Sequence, residues 1–407
     1  MNTKLTPSGF DTICLHGGHQ AESNRSHLTP VYASSTYVYD SAEQAAAMFM
    51  GQEQGYIYGR WGNPTINEAE EKIALLEAFG LTDESGNPLK LKAILHASGM
   101  AAISTGVLGC VKAGEKILTH HSLYGGAHEI FEKTMPGLGI TATISDFHRL
   151  EAVEKAINAD KSIRLMYIET PANPTLQCVD IEALTTLAKK YGLTVMVDNT
   201  FATPYLQQPF RWQVDFVLHS TTKFLNGHGT AIGGILIGRD VQLMSTAMTK
   251  THRLLGGNSN AFDAFLLVNG LKTLSLRMDK HCSNAEKTAA FLAGHNAVAN
   301  VNYLGLMSHP DYQIAQRQMK HPGAMLSFEL KGGIDAGRKF INSLKLCTHA
   351  VSLGTCDTLI SHPASTTHMG VPREQRLQYG ITDGLIRMSV GLENIEDILN
   401  DLGQAME

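Results

Sequence analysis

The sequence predicts an α/β chain with a mostly parallel central sheet, a smaller C-terminal α+β domain and an N-terminal arm. Short β-like runs alternate with helical ones between about residues 93 and 240, the order in which parallel sheets are wound. After about residue 300 the order of elements changes, and before residue 66 regular apolar periodicity is scarce.

In chain order, residues 1–65 carry Gly17-Gly18, Thr29-Pro30 and Asn63-Pro64 among many Ser, Thr and Tyr. That composition suits an extended arm rather than a packed layer. Such an arm needs a surface, and a neighbouring subunit supplies one. Residues 67–80 follow a helical pattern, with Ile73, Leu75, Leu76 and Phe79 as the apolar face and Gly80 as the stop. The β-like runs fall at 93–96, 116–120, 140–144, 164–168, 194–197, 216–219 and 234–237, with helical runs at 99–111, 150–158 and 181–191. In such sheets ligands collect beyond the carboxyl ends of the strands. Residues 262–293 form a long helical stretch, broken by Gly270, that reads as a connector. Beyond it, 324–330 alternates like a strand, 335–344 is helical, 385–390 is a strand and 395–406 is the last helix. The expected division is an arm (1–65), a large domain (66–262), and a connector with the C-terminal domain (263–407).

A chain of 407 residues exceeds one small core. Its 43% apolar and 17% charged residues are globular composition. A net charge of −5 argues against nucleic acid and for a small substrate. The polar stretch Met1–Asp11 does not read as a signal peptide, and no run of 18 apolar residues exists. Cys14, Cys110, Cys178, Cys282, Cys347 and Cys356 form no C-x-x-C pair. They read as reduced thiols of a cytoplasmic protein, without a disulfide framework or a metal site.

Six places carry chemistry. Ser220-Thr221-Thr222-Lys223 follows directly on the run 216–219. A lysine just past a strand end, preceded by hydroxyls, suits an imine-forming amine; Ser220 and Thr222 then donate to a cofactor phosphate. A solvated loop lysine is the plainer alternative. Asp198 ends the run 194–197. Pyridoxal phosphate is an electron sink only while its ring nitrogen is protonated, and a strand-end carboxylate supplies that partner. A turn-capping Asp is the other reading. Asp198 and Lys223 lie 25 residues apart, each at a strand end, so both side chains can face one crevice. Ser98-Gly99-Met100 precedes an Ala-rich helix, whose first N–H groups can bind phosphate while Gly99 allows close approach. Tyr124, before Gly125-Gly126, can stack on a pyridine ring and move protons. In Glu169-Thr170-Pro171-Ala172-Asn173-Pro174, Asn173 can donate to the phenolic oxygen of the cofactor, in a loop stiffened by proline. Arg387, in the 385–390 strand, can clamp a substrate carboxylate.

Together these motifs resemble the Cys/Met-metabolism (trans-sulfuration) family of fold-type-I, aspartate-aminotransferase-like pyridoxal enzymes. The matching residues are Tyr58 to Thr65, Ser98 to Met100, Tyr124 to Gly126, Glu169 to Pro174, Val197 to Thr200, His219 to Lys223, Asn226 to Gly229, His362 to Ser365 and Arg387 to Glu393. The resemblance spans essentially the whole chain. It implies pyridoxal 5'-phosphate bound to Lys223, and a homotetramer of tight dimers in which Tyr58 and Arg60 reach the neighbouring subunit's phosphate. It also implies that Ser352 and Arg387 bind the substrate carboxylate, assisted by Asn173.

Within the family the chain looks most like the methionine γ-lyase branch. Cystathionine γ-lyases place acidic residues just before the Tyr-x-Arg motif and just before the binding Ser; here those positions are Ile57 and Val351. Apolar residues there suit a thiomethyl tail, since an unpaired ammonium would be desolvated at a cost of a few kcal/mol. Gly126 stands where methionine γ-lyases carry Cys, as it does in the cystathionine enzymes. The expected reaction is γ-elimination giving a thiol, 2-oxobutanoate and ammonia. The alternatives are γ-replacement on an O-acylhomoserine, as in cystathionine γ-synthase or O-acetylhomoserine sulfhydrylase, and cystathionine γ-lysis. A non-catalytic binding protein would predict erosion of Lys223, Asp198 or Arg387, and all three are present.

Overall fold

A computed structural model of the chain describes residues 9–19, 25–366, 369–370, 372–378 and 380–407. The polar start of the chain therefore enters only at residue 9, and residues 20–24 of the arm lie outside the described residues. The arm is not uniformly extended. Phe10–His16 and Ala42–Phe49 are helices, the second capped by the Ser41 hydroxyl accepting the Gln44 N–H. Ala42–Phe49 buries none of its residues although most of them are apolar, and at eight residues it is too short to show a helical period. Pro64–Glu77 begins at an Asn63 cap with proline in its first turn, and buries Ile73 and Leu76.

Seven strands build the large sheet: β1 (Lys92–His96), β2 (Lys116–Thr119), β3 (Thr141–Ile144), β4 (Ile163–Glu169), β5 (Thr194–Asp198), β6 (Phe216–His219) and β7 (Gly234–Gly238). Their order is β1-β7-β6-β5-β4-β2-β3. The neighbours from β3 to β6 pair in parallel. β7 runs antiparallel to both β1 and β6, the one reversal in the mostly parallel sheet. β5, β6 and β7 read as near-continuous apolar runs because helices cover both faces. On one face Ile103 and Val107 pack with Tyr167, Met196, Leu218 and Leu236; on the other, Val195, Val197, Val217 and Ile237 meet Ile73, Leu184 and Leu267.

The connector consists of two helices, Ala261–Leu271 and Leu274–Ala293. They part at Lys272-Thr273, not at Gly270. Gly270 stays helical, and a Cβ there would sit 2.1 Å from the Asn226 carbonyl oxygen. Its glycine permits close approach instead of ending the helix. From Leu274–Ala293, Arg277 donates to the carbonyl oxygens of Phe224 and Gly270 at 2.8 Å each, and Asn284 donates to those of Gly391 and Glu393 at 2.9 Å each. One helix thus holds the loop after Lys223 and the segment after the Arg387 strand.

The second sheet has β8 (Val298–Asn302), β9 (Met325–Leu330), β10 (Thr348–His349), β11 (Leu359–Ser361) and β12 (Leu385–Ser389), in the order β10-β11-β12-β9-β8. It is antiparallel except for the β10–β11 pair. The sequence pattern indicates β9 and β12. It misses β8, half of which faces water, and the two- and three-residue strands β10 and β11. Among the described residues no helix is long and apolar enough to cross a membrane.

Candidate active site

Parallel pairing sends the carboxyl ends of β2, β4, β5 and β6 to one edge of the large sheet, and the turns that follow carry the residues singled out above. The end of β1 reaches the same edge through the reversed β7, whose first residue, Gly234, faces His96. The turns after β1 and β6 are in contact: a Cβ on Gly99 would lie 2.9 Å from the Ser220 Cβ. Ser98 caps Gly99–Cys110 through its hydroxyl, which accepts the Ala101 N–H at 3.1 Å. The Thr222 hydroxyl is engaged with Gly233, donating to its carbonyl at 3.2 Å and accepting its N–H at 3.0 Å. Gly99 leaves the start of a twelve-residue helix without a side chain, which is the room an anion needs at a helix N-terminus.

Asp198 is buried. Its Oδ1 accepts the Thr200 N–H at 3.0 Å and the Thr200 hydroxyl at 2.5 Å, and its Oδ2 accepts the Tyr167 phenol at 3.4 Å. The same Thr200 hydroxyl takes the Ser220 N–H at 2.9 Å, joining the ends of β5 and β6. Burial pushes the Asp198 carboxyl up, and the two bonds from Thr200 pull it back. Tyr167 was not among the residues singled out from sequence, and Thr200 was quoted only as the end of a matching motif.

Lys223 donates to the Ser352 hydroxyl at 2.7 Å. Ser352 sits in the left-handed region, with φ of +85°, a strained conformation for a residue with a Cβ. Its carbonyl accepts from Arg387 at 2.6 Å, and Arg387 also donates to Asn173 Oδ1 at 3.3 Å. Lys223, Ser352, Asn173 and Arg387 thus form one cluster, drawn from both sheets. Burial, then the Arg387 charge, pushes the Lys223 amine down to about 8. Burial lowers Arg387 to about 10, which leaves it charged at neutral pH. The Arg387 Nε is buried without a hydrogen-bond partner. A buried, charged group with an orphaned donor fits an anionic ligand.

Tyr124 lies half exposed above Gly126: a Cβ on Gly126 would be 2.6 Å from Tyr124 Cε1 and 3.0 Å from Met100 Sδ. The Tyr124 N–H donates to Glu169 Oε2 at 2.7 Å, and the Asn173 N–H donates to Glu169 Oε1 at 3.3 Å. Sequence reasoning quoted Glu169 only as the first residue of its loop. Its signal was the position it shares with Asp198, the last residue of a buried strand.

Four expected site residues lie outside this cluster. Arg60 donates to the Arg253 carbonyl at 2.7 Å and stands 5.5 Å over the Tyr58 ring, and the Arg60 carbonyl accepts from Asn258 at 2.7 Å. These bonds run along residues 253–258 rather than to Gly99 or Ser220. Tyr58 is 41% exposed and Val351 is 63% exposed, while Ile57 is half-buried, with its carbonyl taken by the Tyr37 N–H at 3.3 Å. Among the described residues no group of His, Cys, Asp and Glu is placed to hold a metal ion.

The residues at the sheet edge fit pyridoxal phosphate. An amine of lowered pKa, a strand-end carboxylate and a side-chain-free helix start are what the aldehyde, ring nitrogen and phosphate require. The chain is 44% identical over 404 residues to an L-methionine γ-lyase of Porphyromonas gingivalis, covering 99% of this chain and 98% of that one. It is 40% identical over 397 residues to a cystathionine γ-lyase of Bacillus subtilis, covering 97% and 98%. The crystal structure of cystathionine γ-synthase from Xanthomonas oryzae superposes with a TM-score of 0.90 at 35% identity, covering 98% of each chain. The model of the Cys/Met metabolism PLP-dependent enzymes matches residues 11–407, and with a site that suits the cofactor at the expected sheet edge, the chain belongs to that pyridoxal-phosphate-dependent family.

Proposed function

We propose that the chain catalyses γ-elimination on methionine or a related γ-substituted sulfur amino acid, consuming water and releasing a thiol, 2-oxobutanoate and ammonia. The observation that carries the reading is the buried Arg387 guanidinium, with its orphaned Nε, in one cluster with the Lys223 amine. That arrangement receives an α-carboxylate and leaves a base at Cα. The choice of a thiol leaving group is supported by the methionine γ-lyase relatives.

When bound, pyridoxal phosphate supplies the electron sink. Lys223 would hold the cofactor through its aldehyde carbon and, once substrate displaces it, would carry protons at substrate Cα and Cβ. Asp198, oriented by Thr200, keeps the ring nitrogen protonated. Gly99, Met100, Ser98, Ser220 and Thr222 would hold the phosphate, joined by Tyr58 and Arg60 of a neighbouring subunit. Tyr124 would stack on the ring and protonate the leaving sulfur. Arg387, Ser352 and Asn173 orient the substrate carboxylate. Assembly as a homotetramer in the cytoplasm belongs to the same reading.

The test is the release of 2-oxobutanoate from methionine, homocysteine, cystathionine and O-acetylhomoserine, with and without added cysteine. Methionine competing well in kcat/KM supports the reading. Gly126 and the likeness to cystathionine γ-synthase favour γ-replacement as the second reading. Cystathionine made from O-acetylhomoserine and cysteine far faster than methionine is degraded would establish it.

A further inference from the structure

β4 and β5 end side by side on two carboxylates. Glu169 pairs in register with Asp198, and the two expose 5% and 9% of their surface. The donors to Asp198 are Thr200 and Tyr167. Glu169 turns to the main chain instead and accepts the N–H of Tyr124 and of Asn173. Those two residues arrive from different loops, after β2 and after β4. One buried carboxylate therefore sets the backbone of the ring-facing tyrosine and of the asparagine that contacts Arg387.

We propose that Glu169 is a positioning residue of the cofactor site, fixing the main chain of Tyr124 and Asn173 while sharing a single negative charge with Asp198 across the β4–β5 pair. This inference rests on the reading of Asp198, Tyr124 and Asn173 given above. Two carboxylates at cross-strand spacing in a dry site do not both ionise cheaply. Asp198 has the stronger donors and keeps the charge, while burial and that charge push Glu169 up to about 8. Other titratable groups face the pair. Tyr167 on β4 is held neutral by burial, and His120 is lowered to about 3 by burial as its Nε2 accepts the Glu169 N–H at 3.2 Å. His219 at the end of β6 is bonded to Glu77 at 2.6 Å. A protonated ring nitrogen set against Asp198 cancels the charge that holds the proton on Glu169. Cofactor binding then lowers the Glu169 pKa and releases a proton there.

The experiment titrates apoprotein with pyridoxal phosphate and with pyridoxamine phosphate. The second probe lacks the aldehyde, cannot bond to Lys223, and reports the site without turnover. Glu169→Ala removes both acceptors. It is expected to weaken pyridoxamine phosphate binding about tenfold and to raise KM, with apoprotein Tm within about 3 °C of wild type. Glu169→Gln is neutral like the protonated acid and keeps one oxygen to accept the shorter bond, from the Tyr124 N–H, while its amide nitrogen cannot accept the weaker one from Asn173. It is expected to match wild type within about threefold at pH ~6.5. The ratio of wild-type to Gln affinity should climb as pH rises towards about 8 and level off above it, because cofactor-free Glu169 has by then already lost its proton. An Ala variant that binds both probes and substrate like wild type overturns the positioning role. A Gln variant as damaged as Ala at the lower pH, or a ratio flat with pH, overturns the shared charge. Should the Ala variant melt early, the Gln series decides alone. Wild-type apoprotein that captures neither probe brings down the site reading and this inference together.

Discussion

Gly126→Ala separates the site's geometry from its stability. The added Cβ would meet Tyr124 Cε1 at 2.6 Å and Met100 Sδ at 3.0 Å. Both are side-chain atoms, so the ring must swing away while the backbone can stay. Gly126 lies in the helix Gly125–Glu129 without a left-handed φ, and alanine there favours the helix by about 1 kcal/mol. Overpacking costs about 1–3 kcal/mol in a tight core. Tyr124 is 48% exposed and can move into solvent, which puts the cost at the low end. The two terms nearly offset each other, and apoprotein Tm should move by less than about 3 °C. Function should not be spared. A displaced ring loses a stacking contact of about 0.5–1.5 kcal/mol, or about two- to tenfold in cofactor affinity, with a comparable loss in kcat for 2-oxobutanoate release. The assay is a double-mutant cycle with Tyr124→Ala, read by apoprotein titration and by turnover. In the Tyr124→Ala background, Gly126→Ala should do almost nothing. Equal losses in both backgrounds would refute the contact as the cause. Gly126→Cys begins with the same Cβ, so the thiol of methionine-specific relatives cannot enter without first moving Tyr124.

Lys223→Ala should abolish turnover and covalent capture of the cofactor; borohydride labelling of the native protein should mark a peptide containing Lys223, and a label on Lys250 instead would sink the assignment. Because burial and Arg387 lower the Lys223 amine to about 8, more of the amine becomes neutral as pH rises through about 8. The rate at which apoprotein captures pyridoxal phosphate should climb there, and a climb only near the ordinary lysine value of about 10.4 would contradict the lowered amine. Mixing Arg60→Ala with Lys223→Ala chains should restore activity in hybrids, since one site then has both residues intact; no recovery despite proven exchange of subunits would count against a cross-subunit Arg60.

The central strands and the carboxyl-end edge were readable because β4, β5 and β6 are short apolar runs that end on polar residues, with Asp198 at the end of β5 and Lys223 just past β6, while the order of the strands in the sheet was not. Two features were hidden for a shared reason. Gly270 resembles a helix stop but answers to Asn226, which is distant in sequence. Glu169 resembles any loop acid, yet its partners arrive from the turn after β2 and from a loop bent by two cis prolines, Pro171 and Pro174. Local pattern carries period and punctuation, and it carries no record of which backbone will arrive alongside. Ser352 shows the same limit, since nothing in its neighbours announces a left-handed serine.

The reversed strand β7 has a consequence for how the enzyme comes into being. β1 touches the rest of its sheet only through β7. The Gly99 turn and the Ser220 turn meet around Gly234, where a Cβ would lie 2.2 Å from the Ser98 carbonyl oxygen. On the ribosome, a chain that has emerged only to residue 233 carries both turns yet has no strand to seat the first beside the second. Closing a loop of more than 130 residues between His96 and its partner Gly234 is slow relative to local folding. A nascent chain is therefore expected to carry Lys223 before the Gly99 turn is seated beside it, with β7 as the strand that brings the two together.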